Sequence, residues 1–165
     1  MNTIEPKGTA LITGASGGIG AVYADRLARR GYDLILVARN KQRLESVARR
    51  IANSTGSTVE TVEANLTSAA DLQRVEDILR TNKSISLLVN NAGIGSALPL
   101  LASDATEMEE MIGLNVTALM RLTYAVVPRL VERGSGTIIN ISSIAAIAPE
   151  RLNGVYGGTK AFVLA

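Results

Sequence analysis

The stretch Thr9-Ala10-Leu11-Ile12-Thr13-Gly14-Ala15-Ser16-Gly17-Gly18-Ile19-Gly20 decides the fold. Thr9 to Thr13 is a short apolar run that ends in a glycine-rich turn. A helical pattern follows, with Val22, Leu27 and Ala28 expected inward, Asp25, Arg26, Arg29 and Arg30 outward, and Gly31 as its stop. Leu34 to Ala38 is a continuous apolar run, the pattern of a strand covered on both faces. A strand, a turn, a helix and a second strand within about thirty residues make a βαβ unit. The glycines have a physical task here. The backbone must turn tightly, and no Cβ may keep a phosphate from the helix N-terminus. The spacing is G-x-x-x-G-x-G rather than the strict G-x-G-x-x-G, so the segment also fits a tight strand-to-helix turn with no ligand.

Working outward, strands and helices keep alternating. Lys41 to Ala52 is a charged amphipathic helix with Leu44, Val47, Ala48 and Ile51 at helical spacing. Ser57 to Glu63 reads as a third strand, with Asn65-Leu66 just past its carboxyl end. Ala69 to Leu79 is helical, and Ile85 to Val89 is a fourth strand running into Asn90-Asn91-Ala92-Gly93. Leu98 to Ser103, with Pro99, is a loop. Asp104 to Arg133 is one long helix with Asn115 inside it and Pro128 expected to bend it. Thr137 to Ile141 is a fifth strand ending at Ser142-Ser143, and a last helix starts near Val155. The alternation predicts one α/β domain over 1–165, an open, doubly wound parallel sheet with helices on both faces. Ligands of such sheets lie beyond the carboxyl ends of the strands.

Composition narrows the chemistry. The 165 residues hold no cysteine and no histidine, which excludes disulfides, thiolate chemistry, histidine triads and histidine-ligated zinc; no metal is expected. A net charge of +2 and only 3% aromatic residues argue against nucleic-acid binding. Met1 to Gly8 is polar, and no apolar run reaches membrane-spanning length, so the expectation is a soluble cytoplasmic protein without a membrane partner.

Tyr156 and Lys160 are four residues apart and fall on one helical face. A neighbouring cation stabilises a phenolate, which makes Tyr156 a candidate general acid/base; taken alone, the pair also fits a solvated helix surface. Alone, Asn115 fits a helix kink as well as a catalytic role, and Ser142-Ser143 fit a turn or cap. Arg39 stands just past the second strand, where an acid would bind ribose hydroxyls. A guanidinium there suits a 2′-phosphate and points to NADP over NAD, or else it is a solvated residue opening the next helix.

As a set, Thr13-Gly14-x-x-x-Gly18-Ile19-Gly20, Asn90-Asn91-Ala92-Gly93, Asn115, Ser143 and Tyr156-x-x-x-Lys160 resemble the short-chain dehydrogenase/reductase family in order and separation, over nearly the whole chain. The resemblance implies a Rossmann-type sheet and hydride transfer between NADP(H) and a small-molecule alcohol or carbonyl. It implies that Tyr156 gives a proton to the carbonyl oxygen during reduction, and that Lys160 holds the nicotinamide ribose and lowers the tyrosine's pKa. Ser143, rather than Ser142, would bond the substrate oxygen, and Asn115 would support a proton relay. Gly14, Ser16, Gly17, Ile19, Arg39, Asn65, Leu66 and Asn91 would line the cofactor together with Tyr156 and Lys160.

The chain also departs from that pattern. Asn65 replaces the family's usual aspartate. Gly17 stands where NADP-using members often carry a second basic residue, which leaves Arg39 alone to read the phosphate. Family members continue past Lys160 with another strand, a substrate-covering segment and a last strand, so the resemblance implies a C-terminally truncated chain with its fifth strand as an apolar edge. It further implies a homo-oligomer when full length, joined through the Asn115 and Tyr156 helices. A second reading keeps the fold without the catalysis: a truncated product that binds nucleotide weakly or pairs with an intact subunit.

Overall fold

The computed structural model describes residues 7–96, 98, 100–148 and 154–165; the expectations for 1–6 and for Pro99 lie outside them. Five parallel strands, β1 (Thr9–Thr13), β2 (Asp33–Ala38), β3 (Val59–Glu63), β4 (Ile85–Asn90) and β5 (Thr137–Asn140), form one sheet in the order β3-β2-β1-β4-β5. The apolar runs of β1 and β2 are explained by their two-sided burial. Ala10, Ile12, Leu34 and Leu36 face one core, and Leu11, Ile35 and Val37 face the other. The first core is closed by α1 (Gly18–Ala28) and α2 (Lys41–Thr55), the second by α3 (Ala69–Thr81) and α5 (Leu119–Arg133). This is the expected doubly wound α/β arrangement.

Helix α2 buries Leu44, Val47, Ala48 and Ile51, as its periodicity predicts. Asn40 caps it by accepting a hydrogen bond from the Arg43 N–H at 2.9 Å, and Gly56 ends it at φ 74°. Helix α1 corrects one expectation. Its inward stripe is Gly20, Ala21, Ala24, Leu27 and Ala28, and Val22 is 53% exposed. Small residues let α1 lie close to the sheet, and Val22 falls outside their stripe. Strand β3 starts at Val59 rather than Ser57, because the Thr58 N–H bonds the Asp33 carboxylate and the Ser57 N–H bonds the Thr55 hydroxyl.

The long helix is continuous but not uniform. Asp104 caps α4 (Ala105–Ile112), a π-helical turn covers Gly113–Ala118, and α5 runs on to the left-handed Gly134. By length and composition, Ala105–Arg133 could cross a membrane, a property not evident from scanning the sequence for apolar runs. Met111, Ala118, Leu122, Ala125 and Val126 are buried in the fold, whereas Met120, Tyr124, Val127 and Val131 are exposed. Helix α3 is fastened to α5 by Glu76, which is 1% exposed and accepts hydrogen bonds from Arg80 Nη2 at 2.6 Å and from Arg121 Nε. Those bonds, Arg121's first, hold the Glu76 carboxyl below the usual carboxylate range.

After β1 the chain builds outward through β2 and β3, then returns to place β4 on β1's other side. That reversal opens a crevice at the carboxyl ends of β1 and β4. The glycine-rich turn and the Asn-Asn-Ala-Gly segment both lie at these ends.

Candidate active site

The two turns are one construction. The Thr13 hydroxyl accepts the N–H groups of Asn91 and Ala92, each at 3.0 Å, and donates to the Val89 carbonyl at 3.3 Å. The Asn91 amide donates to the carbonyls of Thr13 (2.9 Å) and Gly14 (3.2 Å). Gly14 sits at φ 67°, and a Cβ there would lie 2.7 Å from Asn91 Nδ2 and 2.9 Å from Ala92 Cα. Only glycine fits that joint. The Thr13 hydroxyl is a role the sequence reading missed; its one signal is its place in the motif. At the start of α1, Gly17 provides no side-chain cap, and the first turn holds no acid. A Cβ on Gly17 or Gly18 would meet nothing within 4 Å. This helix end is open, and its partial positive charge favours an anion.

A cleft of about 670 Å³ runs from this turn across the ends of β2 and β4, with Gly14, Ser16, Arg39, Arg43, Leu66 and Gly93 among its lining residues. Of the residues the resemblance assigns to the cofactor, Gly14, Ser16, Arg39 and Leu66 line this cleft. Asn91 holds the joint instead of lining the cleft. Asn65 turns its amide oxygen to the Thr67 N–H and hydroxyl, leaving the wall to Ala64 and Leu66. Gly17 opens on a neighbouring groove between α1 and α2, and Ile19 is 57% exposed.

Arg39 makes a loose ion pair of 3.8 Å with Glu110, both side chains being well exposed. Such a pair holds the guanidinium weakly, so it can turn to a ligand. Arg43 is the second basic residue at this end, and the sequence reading missed it among the cations of α2. Its place in the first turn, three residues after the Asn40 cap, is the signal that could have found it. An open helix end, a long cleft and two guanidiniums fit an extended polyphosphate-bearing ligand such as a dinucleotide.

The candidate acid/base residues gather around α6 (Gly154–Leu164). Lys160 is buried; its ammonium donates to the Ile141 carbonyl at 2.9 Å and lies 5.9 Å from the centre of the Tyr156 ring. Burial pushes the Lys160 pKa below its ordinary value. Asn115, buried in the π-helical turn, accepts from the Ile94 N–H at 2.9 Å and donates to the Ile94 carbonyl at 2.8 Å. The structure thus brings Asn115, Tyr156 and Lys160 together beside the Gly93-Ile94 end of the cleft. Ser142 bonds the Lys160 carbonyl at 2.7 Å and is committed to bracing the helix. Ser143 accepts from the Ala145 N–H at 3.2 Å as cap of the 3₁₀ turn Ile144–Ala146. Of the two serines it is the one whose hydroxyl proton, among the described residues, is not committed to another group.

The family model for short chain dehydrogenase matches residues 8–165. A very-long-chain 3-oxoacyl-CoA reductase of Coccidioides immitis is 34% identical over 99% of this chain and 48% of its own length. Human 17-beta-hydroxysteroid dehydrogenase type 3 is 36% identical over 94% of this chain and 51% of its own. The chain spans about half the length of the curated relatives it matches. Among solved structures, a short-chain dehydrogenase from Sphingobium yanoikuyae in complex with NADPH superposes with a TM-score of 0.92 at 51% identity, covering 95% of this chain and 61% of that one. The bulky-bulky ketone specific alcohol dehydrogenase from Comamonas testosteroni gives a TM-score of 0.92 at 46% identity, covering 95% and 63%.

Proposed function

The chain belongs to the short chain dehydrogenase family, and from that premise we propose that it carries the cofactor cleft and acid/base centre of an NADP(H)-dependent oxidoreductase of alcohols and carbonyls. The observation that carries this reading is a buried lysine placed beside a tyrosine at the end of a cleft suited to a dinucleotide. In the reducing direction Tyr156 gives its phenolic proton to the carbonyl oxygen. Ser143 donates a hydrogen bond to the same oxygen and orients it. Lys160 places its ammonium beside the Tyr156 ring, and Asn115 holds the loop at Ile94. When bound, the nicotinamide supplies the hydride.

The choice of NADP(H) rests on Arg39 and Arg43, two guanidiniums of the cleft lining whose chemistry suits a 2′-phosphate, and is supported by NADPH in the Sphingobium relative. Gly14, Ser16 and Leu66 would line the dinucleotide. Ile144, next to Ser143, and Ile147 and Leu98 keep exposed apolar side chains. These favour a substrate with bulky apolar flanks on its carbonyl, a class matching the ketones named for the Comamonas relative. Met120, Tyr124, Val127 and Val131 leave an exposed apolar stripe along α5, which we read as the face joining copies into a homo-oligomer.

The test is NADPH consumption over a panel of bulky ketones, run with the wild type and Tyr156→Phe, alongside NADPH binding. Turnover in the wild type, with binding kept and turnover lost in the variant, supports the proposal. Wild-type binding without turnover favours the inactive-product reading, and turnover by Tyr156→Phe rejects the assigned mechanism.

A further inference from the structure

Thr159, between Tyr156 and Lys160, has no assigned part in the reaction. Its side chain is nevertheless 96% shielded, at 4% relative exposure, and its hydroxyl is used in both directions. It donates to the Tyr156 carbonyl at 2.8 Å and accepts from Asn115 Nδ2 at 3.0 Å. A helical threonine often bonds a carbonyl one turn back, so the first contact alone means little. The second crosses from α6 to the π-helical turn. Asn115 Nδ2 divides its donors between the Ile94 carbonyl and Thr159, while its Oδ1 takes the Ile94 N–H. Both donors of the amide are therefore used, and Thr159 is its link to the helix that carries the phenol. The next residue of the loop completes the frame. A Cβ on Gly95 would lie 3.3 to 3.5 Å from Cε2, Cδ2 and Cζ of Tyr156, so the ring rests against bare backbone there.

We propose that Thr159 is a positioning residue for Tyr156. Its hydroxyl fixes the Tyr156 turn of α6 against Asn115, and Gly95 is the seat against which the ring is registered. Thr159 touches neither substrate nor cofactor in this assignment; it acts by setting where the phenolic oxygen lies. This rests on the reading of Tyr156 as proton donor. Small displacements of a proton donor are costly, on the order of 10²-fold in rate for about 1 Å.

The experiment compares Thr159→Val, which keeps the shape and removes the hydroxyl, with Thr159→Ser, which restores it, and with Gly95→Val, which fills the seat. Thr159→Val is expected to lower kcat about tenfold or more, with the NADPH Kd within about twofold of wild type, and Thr159→Ser to recover most of the loss. Gly95→Val is expected to lower kcat likewise. A readout without catalysis accompanies them: the ring ¹³Cζ resonance of Tyr156, assigned by its loss in Tyr156→Phe. It should move in Thr159→Val and in Gly95→Val, and return in Thr159→Ser. An unmoved resonance in Thr159→Val overturns the inference, as does wild-type kcat in that variant beside an inactive Tyr156→Phe. Turnover by Tyr156→Phe instead removes the proton-donor reading while leaving the resonance test standing. Should Thr159→Val fail to fold, Thr159→Ala, which also removes the hydroxyl, takes its place, and an unmoved Tyr156 resonance in it overturns the inference.

Discussion

Replacing Glu76 by glutamine probes the fastening between α3 and the helix that bears Asn115. The carboxylate is 1% exposed and holds Arg80 Nη2 at 2.6 Å and Arg121 Nε, one on its own helix and one on α5. Glutamine keeps the volume, so no cavity term enters. It removes the charge and replaces one acceptor by a donor facing a guanidinium. Breaking a fully buried pair costs about 3–5 kcal/mol, but both guanidiniums here are more than two-fifths exposed and solvent screens them. The discounted cost is ~1–2 kcal/mol, or roughly 2–8 °C in Tm for a chain of this size.

The pH dependence has a definite sign. The folded pKa of Glu76 lies below its ordinary value of 4.5. Its contribution is therefore complete above 4.5 and disappears as pH falls through the folded pKa. Thermal unfolding of wild type and Glu76→Gln should differ fully at neutral pH and converge below 4.5. Equal Tm values at neutral pH, or a gap that widens on acidification, would refute the reasoning.

Arg39→Ala and Arg43→Ala should each raise the NADPH Kd about tenfold while leaving NADH binding within about twofold, measured by cofactor fluorescence titration. Equal losses for both cofactors would mean that neither guanidinium reads the 2′-phosphate. Lys160 has a folded pKa below its ordinary 10.5 because it is buried, so the unfolded chain binds more protons and wild-type stability rises as pH approaches 10.5. Lys160→Met should then be at least as stable as wild type at neutral pH by denaturant unfolding, with any gap closing on the alkaline side, and should lack turnover.

The layered fold was legible because its signals are local. The apolar runs of β1 and β2, the spacing of Leu44, Val47, Ala48 and Ile51, and the glycines after Thr13 each act through nearby chain. What stayed hidden depends on distant partners. Val22 was placed inward by hydrophobicity, whereas Gly20, Ala21 and Ala24 make the contact because close approach to the sheet favours small side chains. Asn115 stood out as a poor helix former, but the π-helical turn around it accompanies its bonds to Ile94 on a separate loop. Asn91 and Thr13 were readable as motif members, yet their hydrogen bonds join β4 to β1, a pairing that exists only once the sheet is assembled. Arg43 looked like any other cation of α2 until the end of β2 was folded beside it.

The most direct test of the central claim is the fate of the hydride. Reduction of a bulky ketone with NADPH carrying deuterium at both C4 positions, followed by mass spectrometry of the product, asks whether this centre transfers it. The account predicts an alcohol with one deuterium on its carbinol carbon from the wild type and no product from Tyr156→Phe. Product without deuterium, or labelled product from both proteins alike, would contradict it.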